Sequence, residues 1–499
     1  MNRLLIVALS LASSLAVAKT AAPYFQQLNS AAPFNAEMLD YRWTTPAQVK
    51  EGKARFSAQK RNPSNQRLAD ESMLSPEFRT TRDRFLKIKT ADQLDAFLAD
   101  LEKNYDSFKE DDQRFFAAHI IPLREMRGVV WRSIPVFNKA KITHSFVLTL
   151  VKSSSASMNI YMPNDQWKAG FEYVTMPFVR DGKVVKAFNS EADMIAFMAG
   201  TVRTSMLKAA KRLQAIDLSD KWVAWDNQLL FGQNSFADNI DRYRMVGEVE
   251  RISSLASLHA ALAQITFQRA YSSENSVKLF KDLGKLYGTD GFLSEVDGAP
   301  SSKRAAVMRQ PGFRNYAVLL ADGPKWMDLS LRHLQESVRQ SATVWDQIKR
   351  EDRPATDAFL FDASFARAYE RGGDLSIANM LAIVEGPTQL RSGVTGESVM
   401  VDLPAFYRNP PRDLKGFLPI AFEQGNEWNE AKLKDGAGQV HSLKYRNYNI
   451  GRGINWDKDT YRQIFPALKD GKDVPLHIRV VSQSWGMWMA VMPLAEIIE

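Results

Sequence analysis

The chain has 499 residues, 65 basic and 57 acidic side chains, a formal charge of +8 and no cysteine. Without cysteine there is no thiol nucleophile, zinc-thiolate site, iron-sulfur cluster, disulfide or lipid-modified cysteine. The length predicts about two to four domains, and the modest positive excess favours anionic surroundings such as an envelope surface, without the dense basic stripe or reading module that nucleic acid demands.

In chain order, the first segment reads as an export signal. Asn2 and Arg3 form a short polar, positive start, Leu4 to Leu15 a run broken only by serines, and Ala16-Val17-Ala18 a small-x-small cleavage pattern. Cleavage is expected after Ala18, so that the mature chain starts at Lys19 and is periplasmic or secreted. The apolar run is too short for the roughly 20 residues of a spanning helix, and no later run reaches that length, so no transmembrane segment is expected after cleavage.

Residues 19–65 read as an extended basic lead-in, with Lys53, Arg55, Lys60 and Arg61 in its densest stretch. A helical N-terminal region, 66–140, follows. Thr90 and Gln93 form a capping box, with Leu94, Phe97, Leu98 and Leu101 at helical spacing behind it, and a second helix is expected over Asp111 to Val130.

Residues 141–352 combine a sheet element with a helical core. Strands are predicted at Ser145 to Lys152, Met158 to Met162, Phe171 to Phe178 and Lys183 to Phe188, with a hairpin turn at Asp181-Gly182. Ser190 is the expected N-cap of a helix reaching about Ile216. Stripes of Val249, Ile252, Leu255, Leu258, Leu262 and Ile265, then Leu331, Leu334, Val338, Trp345 and Ile348, predict core helices, separated by a Gly/Pro-rich connection over Gly288 to Pro311.

Residues 353–499 form a loop-rich α+β C-terminal region. A helix from about Ala363 to Arg371 is expected to stop at Gly372-Gly373, and Leu476 to Val481 and Met487 to Met492 are expected to pair as a closing hairpin. The fold class is therefore α+β: mainly helical N-terminal and central regions, with small antiparallel sheet elements near 144–188 and at the C-terminus.

No catalytic motif is legible. The histidines at 119, 144, 259, 333, 441 and 477 lack HExxH or HxxxH spacing, so no metal site or cofactor is expected, and His259, on an apolar stripe, reads as a hydrogen-bonded core histidine. No GxSxG or GxxxxGK[ST] occurs, and Gly451-Arg452-Gly453 lacks the third glycine of a dinucleotide loop. Asn455, Asp457 and Asp459 alternate like calcium-loop ligands, but Thr460 and Pro466 stand where glycine and glutamate are needed, and a helix N-cap explains them better. Glu336-Ser337 resembles the Glu-Ser of lytic transglycosylases over those two residues alone. With Arg332 and Arg339 one turn away, Glu336 reads as a surface ion-pair residue.

The richest patch gathers Glu423, Glu427, Trp428, Tyr448, Arg452, Trp456 and Asp457. Aromatic faces interleaved with amides and carboxylates suit carbohydrate or peptide binding, because flat rings stack while polar groups fix orientation. The expected function is a non-enzymatic cell-envelope or secreted binding protein whose partner is an anionic polymer, a glycan or another protein. The alternative is a carboxylate-dependent hydrolase of cell-wall or other polysaccharide, working through carboxylates in the Glu423 to Asp459 region.

Overall fold

The computed structural model describes residues 44, 71–143, 147, 164–180, 182–219, 221–226, 228–231, 242–286, 301–350, 370–391, 397–418, 420, 428–434, 440–446 and 456–485. The signal segment, most of the lead-in, the expected strands at Met158 to Met162 and Met487 to Met492, and nearly all of Ser145 to Lys152 lie outside them. The fold is α+β: mostly helix, with four two-stranded antiparallel sheets among the described residues.

The helices are α1 Pro76–Leu86, α2 Ala91–Asn104, α3 Asp111–Ile120, α4 Val129–Lys139, α5 Asn164–Thr175, α6 Glu191–Phe197, α7 Arg203–Gln214, α8 Gln228–Phe231, α9 Glu248–Ala270, α10 Ser276–Leu286, α11 Ser301–Met308, α12 Gly323–Arg350, α13 Glu370–Glu385, α14 Leu403–Arg408, α15 Lys458–Tyr461 and α16 Val474–Trp485. The sheets pair β1 Val179–Arg180 with β2 Lys183–Val184, β3 Val223–Asp226 with β4 Tyr243–Val246, β5 Thr388–Arg391 with β6 Ser398–Val401, and β7 Trp428–Lys434 with β8 Val440–Arg446.

Local chemistry explains several starts and stops. Thr90 caps α2 by accepting from the Gln93 amide, and Leu94, Phe97, Leu98 and Leu101 are buried as their spacing requires. Ser190 and Asp193 complete a capping box at α6, which continues through a π-turn over Met198–Val202 into α7. Gly182 takes the positive φ of the β1–β2 turn. The helix expected over Asp111 to Val130 is broken instead. Pro122 opens a 3-10 stretch over Ile121–Met126, and Gly128, at φ 64°, restarts the chain as α4. A Cβ at Gly128 would sit 2.7 Å from the Phe178 ring, so the position excludes a side chain.

Four other expectations give way to tertiary packing. Phe171 to Phe178 is not a strand: α5 covers it through Thr175, burying Ala169 and Tyr173 one turn apart, and Pro177 ends the element. Leu476 to Val481 is helical too. Its apparent alternation hides Val474, Ile478 and Val481 at i, i+4 and i+7, packed on the C-terminal core, with Pro475 tolerated in the first turn. α13 runs through Gly372-Gly373, because Ile377, Met380, Ile383 and Val384 bury one face and outweigh roughly 1 kcal/mol per glycine. The Gly288 to Pro311 connection contains α11, held by Ala305 and Met308 against Leu279, Phe313 and Leu418.

Two large cores result. The first joins α1, α2, α3, α7 and the β3–β4 hairpin around Phe78, Phe97, Phe116, Met206 and Trp225. The second joins α12, α13, α14, α15, α16 and β5–β6 around Leu334, Met380, Phe406, Phe417 and Tyr461. α9 contributes to both, with Leu255, Leu258 and Ile265 in the first and Ala263 and Phe267 in the second. It also packs antiparallel along α12, and the seam is polar. Ser330 and Ser337 of α12 donate across it to the carbonyls of Ala263 and Ala256, at 2.7 and 2.8 Å, and His259 meets His333 between them.

Candidate functional site

Of the patch residues expected from sequence, Glu423, Glu427, Tyr448 and Arg452 lie outside the described residues. Trp428 opens β7. Trp456 is half-buried and packs against the second core, and Asp457 is the N-cap of α15. The two Asp457 oxygens accept from the Asp459 amide at 3.1 Å and the Thr460 hydroxyl at 2.7 Å, as expected for a cap. Trp428 thus belongs to the hairpin, and Trp456 and Asp457 belong to the second core and its helix end.

The hairpin has a definite register: Trp428 faces Arg446, Glu430 faces Lys444, Lys432 faces Ser442 and Lys434 faces Val440. Because residues alternate sides along a strand, these eight share one face of the ribbon. The other face carries Asn429, Ala431 and Leu433 opposite Tyr445, Leu443 and His441. The register therefore places Lys432, Lys434, Lys444 and Arg446 at positions of one face, together with Glu430 and with Trp428 at the ribbon's end. The sequence reading gathered Trp428 by aromatic content and missed the lysines. Their signal was present as a period of two, which only the register makes legible.

Several ionisable groups are buried in structural roles. Asp226, fully buried, accepts from Arg82 at 3.2 Å, from Arg242 at 3.0 Å and from the Gln228 amide at 2.9 Å. Arg82 also binds Glu71 at 2.7 Å, and that hydrogen bond holds the Glu71 carboxyl below its usual range. Asp112 accepts from the Ser75 amide and hydroxyl, both at 2.8 Å, while burial raises its pKa. Glu191, at the start of α6, accepts from the Val277 amide at 3.4 Å, and desolvation pushes its carboxyl up to about 7.

His259 is a hydrogen-bonded core histidine, as its stripe position suggested, but its partner was not foreseen. Its Nδ1 lies 3.0 Å from Nδ1 of His333, and both rings are fully buried. One Nδ1 donates and the other accepts, so the contact needs at least one unprotonated nitrogen. Desolvation lowers His259 to about 3; it also holds His333 well below its usual range, with further lowering from the charges of His259 and Arg203. The sequence clue was that both histidines interrupt apolar stripes whose helices prove to be neighbours.

Glu336 corrects the surface reading. It is fully buried, and Arg339 pairs with Glu385 at 2.6 Å while Arg332 pairs with Asp328 at 2.9 Å. Glu336 instead accepts from the Thr44 amide and hydroxyl, both at 2.7 Å, and from Gln340 at 2.6 Å. Thr44 lies 292 positions away in sequence, a distance no local pattern reports.

A concavity of about 190 Å³ is lined by Thr90, Asp92, Arg127, Glu172, Met176 and Pro177. Small-molecule pockets run to about 300–1,000 Å³. Arg127 in its lining is bonded to Asp92 and Asp95 and lies 4.9 Å over the Phe178 ring. Among the described residues no group of three or more His, Asp or Glu side chains is arranged to hold a metal, and no helix is long and apolar enough to cross a membrane. No family model, curated protein or solved structure matches the chain.

Proposed function

We propose that the mature chain is an exported, non-enzymatic binding protein of the cell envelope or its surroundings, and that its ligand is an anionic polymer. The observation that carries this reading is the β7–β8 register, which groups Lys432, Lys434, Lys444 and Arg446 on one face of a ribbon with Trp428 at its end. Basic residues at alternate strand positions suit a chain of regularly repeated negative charges. The excess of basic side chains over the whole chain acts in the same direction.

Cosedimentation of the Lys19–Glu499 chain with peptidoglycan, outer-membrane vesicles and inner-membrane vesicles tests the proposal. Binding that falls with added salt, with no released fragments in the supernatant, is the expected result, because exposed charges are screened beyond about 8 Å at physiological ionic strength. Soluble fragments would instead assign a hydrolase, and salt-independent binding would remove the basic face from the account.

A further inference from the structure

We propose that the β1–β2 hairpin is a lipid-docking surface, which sets Met176, Pro177, Val179 and Val184 into the interfacial layer of an anionic bilayer while Lys183 and Lys186 meet the headgroups. Five large apolar side chains stand exposed among the described residues, Met73, Met176, Val179, Val184 and Ile420, and three of them gather on this hairpin. Val179 and Val184 are 56% and 64% exposed, and the register sets them directly opposite one another, so the two side chains share one face. Met176, 54% exposed, and the exposed Pro177 precede them. Apolar side chains scattered singly over a surface are ordinary, whereas a gathered group marks a contact.

The hairpin is held from its inner side, which fixes the valine face outward. Burial alternates along the chain: Phe178 is buried, Val179 exposed and Arg180 half-buried. Arg127 and Arg180 lie 4.9 and 5.4 Å from the centre of the Phe178 ring, and Arg180 also bonds Glu125 at 3.0 Å and the Arg124 carbonyl at 2.9 Å. Charge decides what the outer face meets. Residues 179–186 carry three basic side chains and one acidic, Asp181. With Arg180 committed to Glu125, Lys183 and Lys186 stand exposed beside the valines. The basic edge continues along α4, where Arg132 donates to the Lys186 carbonyl at 3.1 Å and the exposed Lys139 reaches the Asn189 carbonyl. Lysines edging a small apolar face suit a bilayer surface: the apolar side chains enter the acyl boundary, the lysine stems lie along it, and the ammonium groups stay among anionic headgroups. A protein partner fits less well. Strands of two residues offer too short an edge for strand addition, and four apolar side chains fall well short of the roughly 800 Å² that a stable protein interface covers on each side.

The test uses the Lys19–Glu499 chain, without the apolar Leu4 to Leu15 run that would itself enter lipid, and vesicles of phosphatidylglycerol with phosphatidylethanolamine beside neutral phosphatidylcholine vesicles. Because the chain has no cysteine, Val184→Cys accepts a single environment-sensitive fluorophore. On anionic vesicles its emission is expected to shift to the blue, while the same label at Ile420→Cys stays unchanged. Val179→Ser with Val184→Ser should weaken sedimentation with anionic vesicles by about tenfold or more. Lys183→Gln with Lys186→Gln should weaken it by about tenfold, with the loss confined to the anionic vesicles. All four positions are exposed, so the denaturant midpoint is expected to hold in both variants. The label reports on the hairpin itself, which separates this surface from the β7–β8 ribbon. No binding to anionic vesicles, a label at Val184→Cys that stays in water while the chain sediments with them, or undiminished binding of the valine or the lysine variant would overturn the proposal.

Discussion

Between about pH 6 and pH 4.5 the protein is expected to lose stability at about 2.7 kcal/mol per pH unit. His259 and His119 are held at about 3 and about 4 by desolvation, and burial holds His333 well below the usual imidazole range. As pH falls below 6.5 the unfolded chain takes up three protons that the folded one refuses, so this stability is present above the unfolded value and is lost on acidification. Glu191 acts in the opposite sense. Its folded carboxyl, raised to about 7, keeps a proton that the unfolded chain gives up above 4.5. Three protons taken up against one released leaves a net two in this window. Partial exposure of Glu191 weakens its share. Denaturant midpoints at pH 7.5, 6.0 and 5.0 check the slope. In the double variant His259→Leu, His333→Leu, only His119 and Glu191 remain opposed and the slope should nearly vanish; an unfolding midpoint flat from pH 7.5 to 5.0 in the unmutated chain would contradict the neutral, buried pair.

The second large effect is expected at Asp226. It is the common acceptor for Arg82, whose side chain is 6% exposed, and Arg242, 23% exposed, at the end of β3. Asp226→Ala would leave two guanidinium groups facing one another without the carboxylate between them, a loss of about 3–5 kcal/mol on the scale of broken buried ion pairs. Asp226→Asn keeps an acceptor for the Gln228 amide and should fall between the two. Chemical denaturation near pH 7.5, where the histidines are neutral in both states, measures both variants. A loss below about 1 kcal/mol for Asp226→Ala would show that Glu71 and Asp83 alone satisfy Arg82.

These two predictions rest on contacts that differ in how visible they were in the sequence. Helical stripes with local caps were readable, as at Thr90 and Ser190, because both the cap and the apolar period lie within a few residues. Strands were less so. Phe171 to Phe178 and Leu476 to Val481 carry β-favouring residues in short runs, and the packing of one helical face decided both. The α+β class was legible for a related reason, since long one-sided stripes such as Val249 to Ile265 admit little else. The site was harder. The aromatic patch pointed to Trp428, Trp456 and Asp457, yet the last two serve the second core and the cap of α15. What groups Lys432, Lys434, Lys444 and Arg446 is a strand register, and what buries Glu336 is a residue almost 300 positions away. The first leaves only a period of two, which the register alone makes legible, and the second leaves no local trace in the chain.

The basic ribbon is the central functional claim, and its most direct test is the affinity of the Lys19–Glu499 chain for the envelope fraction it sediments with, measured across a salt series beside the variant Lys432→Gln, Lys434→Gln, Lys444→Gln, Arg446→Gln. In the variant, binding is expected to weaken by about tenfold or more at low salt, with a flatter dependence on salt, while the far-ultraviolet spectrum and denaturant midpoint are unchanged. Equal affinity and equal salt dependence in the two proteins would contradict it.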